Sequence, residues 1–168
     1  SYMLTAADGK RASRRYWRLD PYPSQDPSFS EDEKTVEFLD LLNDAVRIRL
    51  RSDVPVGCML SGGLDSGSIT ALAARQHDRF ITFSGVTGSG YYDESEYINE
   101  VVRRSGVDSR FIYPTASQLL PTLREMLSFH DEPVCTVTWY SNYVITREIA
   151  KHRVPVILTG HGGDELLA

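Results

Sequence analysis

The sequence predicts a doubly wound α/β domain, a parallel sheet with helices on both faces. Three observations predict it. From residue 54 onward, short apolar runs of strand length alternate with longer segments of helical period. Each run–helix–run unit implies a right-handed crossover between parallel strands. The glycine-rich stretches fall directly after strand-like runs, where open sheets of this class bind their ligands. The first element begins at Ser30-Glu31-Asp32-Glu33, which fits a capping box with Ser30 as N-cap. Val36, Phe38, Leu39, Leu41, Leu42, Ala45, Val46 and Ile48 then recur at helical spacing up to Leu50. Residues 54–60 read as a buried strand, 65–76 as a helix rich in Ala and Leu, and 80–86 as a second strand. A second helix covers 94–104, with Tyr97, Ile98, Val101 and Val102 on one stripe, and 107–113 forms a weaker strand. Residues 116–127 and 140–152 are expected to be helical, and 154–159 to be the last strand.

Composition narrows the class. The chain has 168 residues with 18 Lys+Arg against 23 Asp+Glu, a net charge of −5, which disfavours a nucleic-acid partner because that requires a basic face. Hydrophobic content of 41% and charged content of 24% match a globular domain rather than a disordered chain. No apolar run approaches a membrane span, and the first residues hold no signal-peptide core, so a cytoplasmic protein without a membrane partner is expected. Cys58 and Cys135 cannot build a disulfide framework, and nothing pairs them at metal spacing. Residues 1–29 look unlike the rest. Asp8-Gly9, between Tyr2-Met3-Leu4 and a basic stretch, marks a hairpin turn, and Pro21, Pro23 and Pro27 mark an extended linker. We therefore divide the chain into a tail, 1–29, and a domain, 30–168.

The strand ends carry the chemistry. After the first buried strand comes Ser61-Gly62-Gly63-Leu64-Asp65-Ser66-Gly67-Ser68. Two adjacent glycines permit a sharp turn and close approach of backbone to ligand. The helix start that follows presents unpaired N–H groups to a phosphate, and Ser61, Ser66 and Ser68 add hydroxyls. Asp65 alone would repel a phosphate, so its presence points to a bridging Mg²⁺. The stretch is neither a Walker A loop nor a dinucleotide fingerprint, since it has no Gly-Lys-Ser/Thr and no G-x-G-x-x-G. After the last strand comes Thr159-Gly160-His161-Gly162-Gly163-Asp164-Glu165. If the two strands are neighbours, Asp65 and Asp164 face one ligand and could share an octahedral Mg²⁺ with phosphate oxygens. The plainer alternative makes Asp164 a helix N-cap.

These segments resemble a known family. Residues Val54-Pro55-Val56-Gly57-Cys58-Met59-Leu60-Ser61-Gly62-Gly63-Leu64-Asp65-Ser66 are similar to the pyrophosphate loop of glutamine-dependent asparagine synthetases. Asp131-Glu132-Pro133 and Thr159-Gly160-His161-Gly162-Gly163-Asp164-Glu165-Leu166 match two further blocks in the family's order. Ile81-Thr82-Phe83-Ser84 with Asp93-Glu94 looks like its second strand and acidic loop, and Tyr16-Trp17 like the tail joining its glutaminase and synthetase domains. The resemblance implies an ATP-pyrophosphatase domain of the adenine-nucleotide α-hydrolase-like fold. It implies activation of a carboxylate, that of aspartate, as an acyl-adenylate with release of pyrophosphate, for amidation by ammonia from glutamine. By that analogy Ser61, Gly62, Gly63, Asp65 and Ser66 cradle pyrophosphate and Mg²⁺, and Leu60, Ser84 and Val86 lie against adenine and ribose. Gly160 and Gly162 of the second loop also bind the nucleotide, His161 and Asp164 serve catalysis, and Asp65 and Asp164 hold the metal.

The pattern also departs from that family. Asparagine synthetases that resemble this loop carry Glu where His161 stands, so an imidazole would act as base for the incoming nitrogen, stabilise the adenylate, or serve as a structural residue only. Gly67 replaces a common second Ser. No N-terminal cysteine nucleophile is present, so a glutaminase domain is expected upstream of the tail, and the family's helical portion downstream of Ala168. The fragment alone is expected to be inactive. The resemblance leaves open a homodimer, another amide-forming ligase of the same fold (β-lactam-forming or peptide-cyclising), and a nucleotide-binding module without catalysis. Cys58 is expected to be a core residue, and Trp139 and Tyr140 helix-packing aromatics.

Overall fold

The computed structural model describes residues 1–18, 30–130, 132–134 and 136–164. It divides into two compact units, Ser1–Leu39 and Asp40–Ala168. In the first, strands β1 (Tyr2–Thr5) and β2 (Arg11–Arg14) pair antiparallel, with Tyr2 opposite Arg14 and Thr5 opposite Arg11. Asp8-Gly9 forms the turn as expected. Gly9 adopts a φ of 81°, its N–H donates to Ala6 O, and the Lys10 N–H donates to Asp8 Oδ1. Pro21, Pro23 and Pro27 lie outside the described residues.

Helix α1 (Glu31–Arg49) starts at the capping box read from the sequence. The Ser30 N–H donates to Glu33 Oε2 at 2.8 Å, and the Glu33 N–H donates to Ser30 Oγ at 3.3 Å. Each partner satisfies an amide that the helix itself cannot. These bonds, the backbone donor first, hold the Glu33 carboxyl below its usual range.

The second unit is built on four parallel strands: β3 (Val56–Met59), β4 (Ile81–Gly85), β5 (Asp108–Ile112) and β6 (Val156–Leu158), in the order β5-β4-β3-β6. The chain runs outward from β3 through α2 (Leu64–Ala74), β4 and α3 (Ser95–Ser105) to β5. It then returns through α4 (Leu119–Phe129) and α5 (Val137–Lys151) to β6, on the far side of β3. The winding therefore reverses between β3 and β6, the position at which open α/β sheets bind their ligands. Helices cover both faces, as predicted. On one, Val46 of α1 and Leu72 and Ala73 of α2 pack against Val56 and Cys58 of β3, while Ile98 of α3 packs against Leu60 and Val86. On the other, Tyr140, Val144, Ile145 and Ile149 of α5 pack against Phe83 and Ile112.

Local chemistry sets the element ends. Helix α3 stops at Gly106, whose φ of 67° is the left-handed geometry of a helix C-cap, and its N–H donates to Val102 O. Helix α5 begins at Val137, three residues earlier than its periodicity suggested, so Trp139 and Tyr140 are helical. Both act as packing aromatics. The Tyr140 hydroxyl donates to Thr115 O at 2.7 Å, and Trp139 lies 5.1 Å from the His130 ring. Cys58 is fully buried, its thiol lies 3.3 Å from Met59 O, and burial pushes it up to about 11. That is the behaviour of a core residue, not a nucleophile.

Candidate active site

The loops after β3 and β6 form one site. The Leu60 N–H donates to Phe83 O at 3.0 Å, extending the ladder one residue past β3. The chain then turns over at Gly62, whose φ of 83° is left-handed. It enters α2 at Gly63, an N-cap with no side-chain acceptor. The first-turn amides of α2 have no intrahelical partners, so the positive end of the helix dipole opens at this point. Ser61 and Ser66 brace the turn: their hydroxyls lie 3.0 Å apart, the Ser61 N–H donates to Ser66 Oγ at 3.2 Å, and Ser66 Oγ donates to Gly63 O at 3.3 Å.

The second loop packs directly on the first. A Cβ added at Gly160 would lie 2.9 Å from both Asp65 Cβ and Ser66 N, and Gly163 leaves no room for one beside the Asp65 carboxylate. Between them the Gly163 N–H turns back to Gly160 O. This contact follows from the pairing of β3 with β6, in which Cys58 opposes Leu158. The condition set by the sequence, that these strands be neighbours, is met.

A cavity of about 400 Å³ lies above the sheet at this junction. The first loop and its flanks contribute Met59, Leu60, Ser61, Gly63, Leu64, Asp65 and Ser66, and the second loop contributes Thr159, Gly160, His161 and Asp164. Phe83 and Gly85 of β4 and Ile145 of α5 form its apolar side, on which Asn142 of α5 is the polar member. One end is therefore polar, with two carboxylates and an open helix start, and the other is apolar apart from Asn142.

Of the residues expected from the sequence, the structure brings Leu60, Ser61, Gly63, Asp65, Ser66, Gly160, His161 and Asp164 to this cavity. Gly62 and Gly162 shape the two loops without lining it. Ser84 and Val86 sit elsewhere: Val86 packs with Leu60 and Ile98, and the Ser84 hydroxyl is buried with no partner among the described residues. The reason is strand period. Phe83 and Gly85 face α5 and the cavity, so the residues alternating with them face α2 and α3. Asp131, Cys135 and Glu165 lie outside the described residues, as do 166–168, on which the helix-cap reading of Asp164 depends. Glu132 is exposed, and His130 packs on Trp139. Asp93 organises the loop after β4: it accepts from Ser95 Oγ at 2.7 Å, which holds its carboxyl low, and from the Gly88 N–H.

Met59, Leu64, Phe83, Gly85, Asn142, Ile145 and Thr159 line the cavity without having been singled out. Asn142 left a legible trace, because it is the polar member of a stripe continued by Ile145 and Ile149.

The site fits Mg²⁺. Among the described residues no group of three or more His, Cys, Asp or Glu could hold a metal unaided. Asp65 and Asp164 nevertheless line one cavity, and Mg²⁺ characteristically takes one or two carboxylates and completes its shell with phosphate oxygens and water.

A parallel sheet reversing its winding beneath a glycine loop that opens a helix defines a doubly wound α/β domain. The fold resembles that of an NH3-dependent NAD synthetase from Campylobacter jejuni, with a TM-score of 0.53 at 15% identity over 79% of this chain and 58% of that one. The family model for asparagine synthase matches residues 37–168, and the chain belongs to that family. It is 35% identical over 161 residues to a putative glutamine-hydrolysing asparagine synthetase 2 of Methanocaldococcus jannaschii, covering 94% of this chain and 30% of that protein. It is 30% identical over 159 residues to asparagine synthetase 1 of Bacillus subtilis, covering 95% of this chain and 24% of the relative. The chain thus spans under a third of the length of these two relatives. No helix among the described residues is long and apolar enough to cross a membrane.

Proposed function

We propose that this chain is the ATP-binding part of an asparagine synthetase-like ligase, which activates a carboxylate, that of aspartate, as an acyl-adenylate for amidation by glutamine-derived ammonia. One observation carries the reading: the contact of the 159–164 loop with Asp65 sets two carboxylates beside an uncapped helix start, in a cavity whose other end is apolar. A nucleoside triphosphate has the matching polarity, anionic at one end and flat at the other.

In this reading the polyphosphate lies on the first-turn amides of α2, and the Ser61–Ser66 brace keeps those amides in place before the ligand arrives. Asp65 and Asp164 would hold Mg²⁺, which supplies charge neutralisation for the departing pyrophosphate. A carboxylate oxygen attacks the α-phosphorus, and the bond from that phosphorus to the bridging oxygen breaks. Pyrophosphate leaves. The nitrogen of ammonia then attacks the acyl carbon and AMP departs. His161, exposed at the cavity wall, takes the proton that the nitrogen sheds. A glutaminase domain in the full-length protein would supply the ammonia.

The test uses the full-length protein with ATP, Mg²⁺, aspartate and glutamine. The expected result is equal release of pyrophosphate, AMP and asparagine, with ¹⁸O passing from labelled aspartate carboxylate to AMP. Asp65→Asn should lower the rate about 10²-fold or more, the scale for removing a charge that acts on the leaving group. Label that stays out of AMP would sink the adenylate step. His161 favours a second reading, in which the same activation acts on a different carboxylate to form another amide. Pyrophosphate release with another carboxylate, and none with aspartate, would select it.

A further inference from the structure

We infer that Asn142 reads the purine edge of the nucleotide and makes this site select adenine; the inference rests on the ATP reading proposed above. Helix α5 runs down one face of the sheet. Ile145 packs so closely on Gly85 that a Cβ there would lie 2.7 Å from Ile145 Cδ1, while His152, two turns on, meets the Phe83 ring at 5.5 Å. Asn142 therefore stands one turn above Ile145, towards the carboxyl ends of the strands, at the mouth of the apolar end of the cavity. Its backbone oxygen accepts from Thr146 Oγ1, but among the described residues its half-buried carboxamide has no hydrogen-bond partner.

The surroundings explain what that carboxamide can do. With the polyphosphate on α2, the ring system falls between Phe83, Gly85 and Ile145, none of which offers a polar side chain. Asn142 is the polar side chain on this wall, and a carboxamide carries one donor and one acceptor side by side. That pair matches adenine, whose N6 amino group donates beside the N7 acceptor. Guanine presents two acceptors there, O6 and N7, and leaves the amide oxygen facing another oxygen.

Calorimetric titration of the full-length protein, in Mg²⁺, with ATP, 7-deaza-ATP and GTP tests the assignment. The wild type should bind ATP roughly tenfold more tightly than either analogue. In Asn142→Leu, ATP should weaken by about the same factor and 7-deaza-ATP by less than about twofold, so that the preference disappears. Asn142→Asp keeps the size and loses the donor, and should show the same loss if the Leu variant does not fold. A wild type that binds ATP and 7-deaza-ATP alike, or a folded variant that keeps the preference, overturns the assignment alone. A wild type that binds neither ATP nor its analogues overturns the nucleotide reading and this assignment together.

Discussion

Replacing Gly160 by alanine tests whether the two loops really depend on one another. The added carbon would lie 2.9 Å from Asp65 Cβ and from Ser66 N. Carbon atoms in comfortable contact sit at about 3.5–4.0 Å, so the loop would have to retreat by roughly 0.6–1 Å. Neither neighbour can yield easily. Asp65 Cβ is fixed to the first turn of α2, and Ser66 is tied by its hydroxyl to the Ser61 N–H and Gly63 O. Overpacking of this kind costs about 1–3 kcal/mol. For a domain of this size that corresponds to a fall of roughly 2–12 °C in melting temperature. Thermal unfolding of the variant reads the first effect, and ATP titration of the full-length protein reads the second, since the shift carries Asp164 away from Asp65. A melting temperature within a degree of wild type, together with unchanged ATP affinity, would refute the packing argument and the site built on it.

Three further expectations follow from the same geometry. Gly67 lies inside α2, where a Cβ would meet Val101 Cγ2 at an ordinary 3.5 Å, so Gly67→Ala should stabilise the domain by about 0.5–1 kcal/mol, measured by denaturant unfolding; a lower midpoint would show that α2 and α3 are packed more tightly than described. Ser30→Ala removes one of the two donors that depress the Glu33 carboxyl, so an NMR titration should find its pKa raised part of the way to the usual range. Because the folded pKa is depressed, the stability this box contributes is present above the ordinary carboxylate range and lost as pH falls through the folded value, so the variant should show less acid sensitivity at this helix end. Burial raises the Cys58 thiol to about 11, so the unfolded chain ionises first and stability should decline as pH rises from the ordinary thiol range towards 11. Cys58→Ala should flatten that part of the curve, and an identical alkaline decline in both proteins would show that other groups cause it.

Much of the fold was legible because local signals agreed. The capping box fixed the start of α1, and the alternation of short apolar runs with helical periods located β3 through β6 to within two residues. The two glycine loops were legible for the same reason, since each follows a strand and contains residues chosen for close backbone approach. The identity of the cavity wall on β4 was not. Every residue from Thr82 to Ser84 is buried, because the strand is covered on both faces, and period two then yields two equivalent faces without saying which one borders the ligand. That choice depends on α5 crossing above Gly85, a contact between residues far apart in the chain. Met59 and Thr159 lie inside the quoted motifs without an assigned role, because nothing local to a strand end says which of its residues faces the cavity.

The arrangement of the serines bears on how the site would recognise an anion. A serine-rich turn invites the reading that hydroxyls grasp the phosphate, and Ser61 and Ser66 were expected to do so. In the structure their oxygens lie within hydrogen-bonding distance of one another and of the turn's own backbone, and Ser66 is buried. Among the described residues, nothing bonds the first-turn amides of α2, which is capped by a glycine that offers no side-chain acceptor. In the proposed reading anion recognition would then fall to backbone amides, whose positions are set by the Ser61–Ser66 brace and by Gly160 packed behind Asp65. Such donors are fixed before the ligand binds, so little ordering is required at that moment. In the proposed reading the carboxylates of Asp65 and Asp164 would oppose an unaccompanied phosphate at the same place, so the cavity would favour an anion that arrives with a divalent cation.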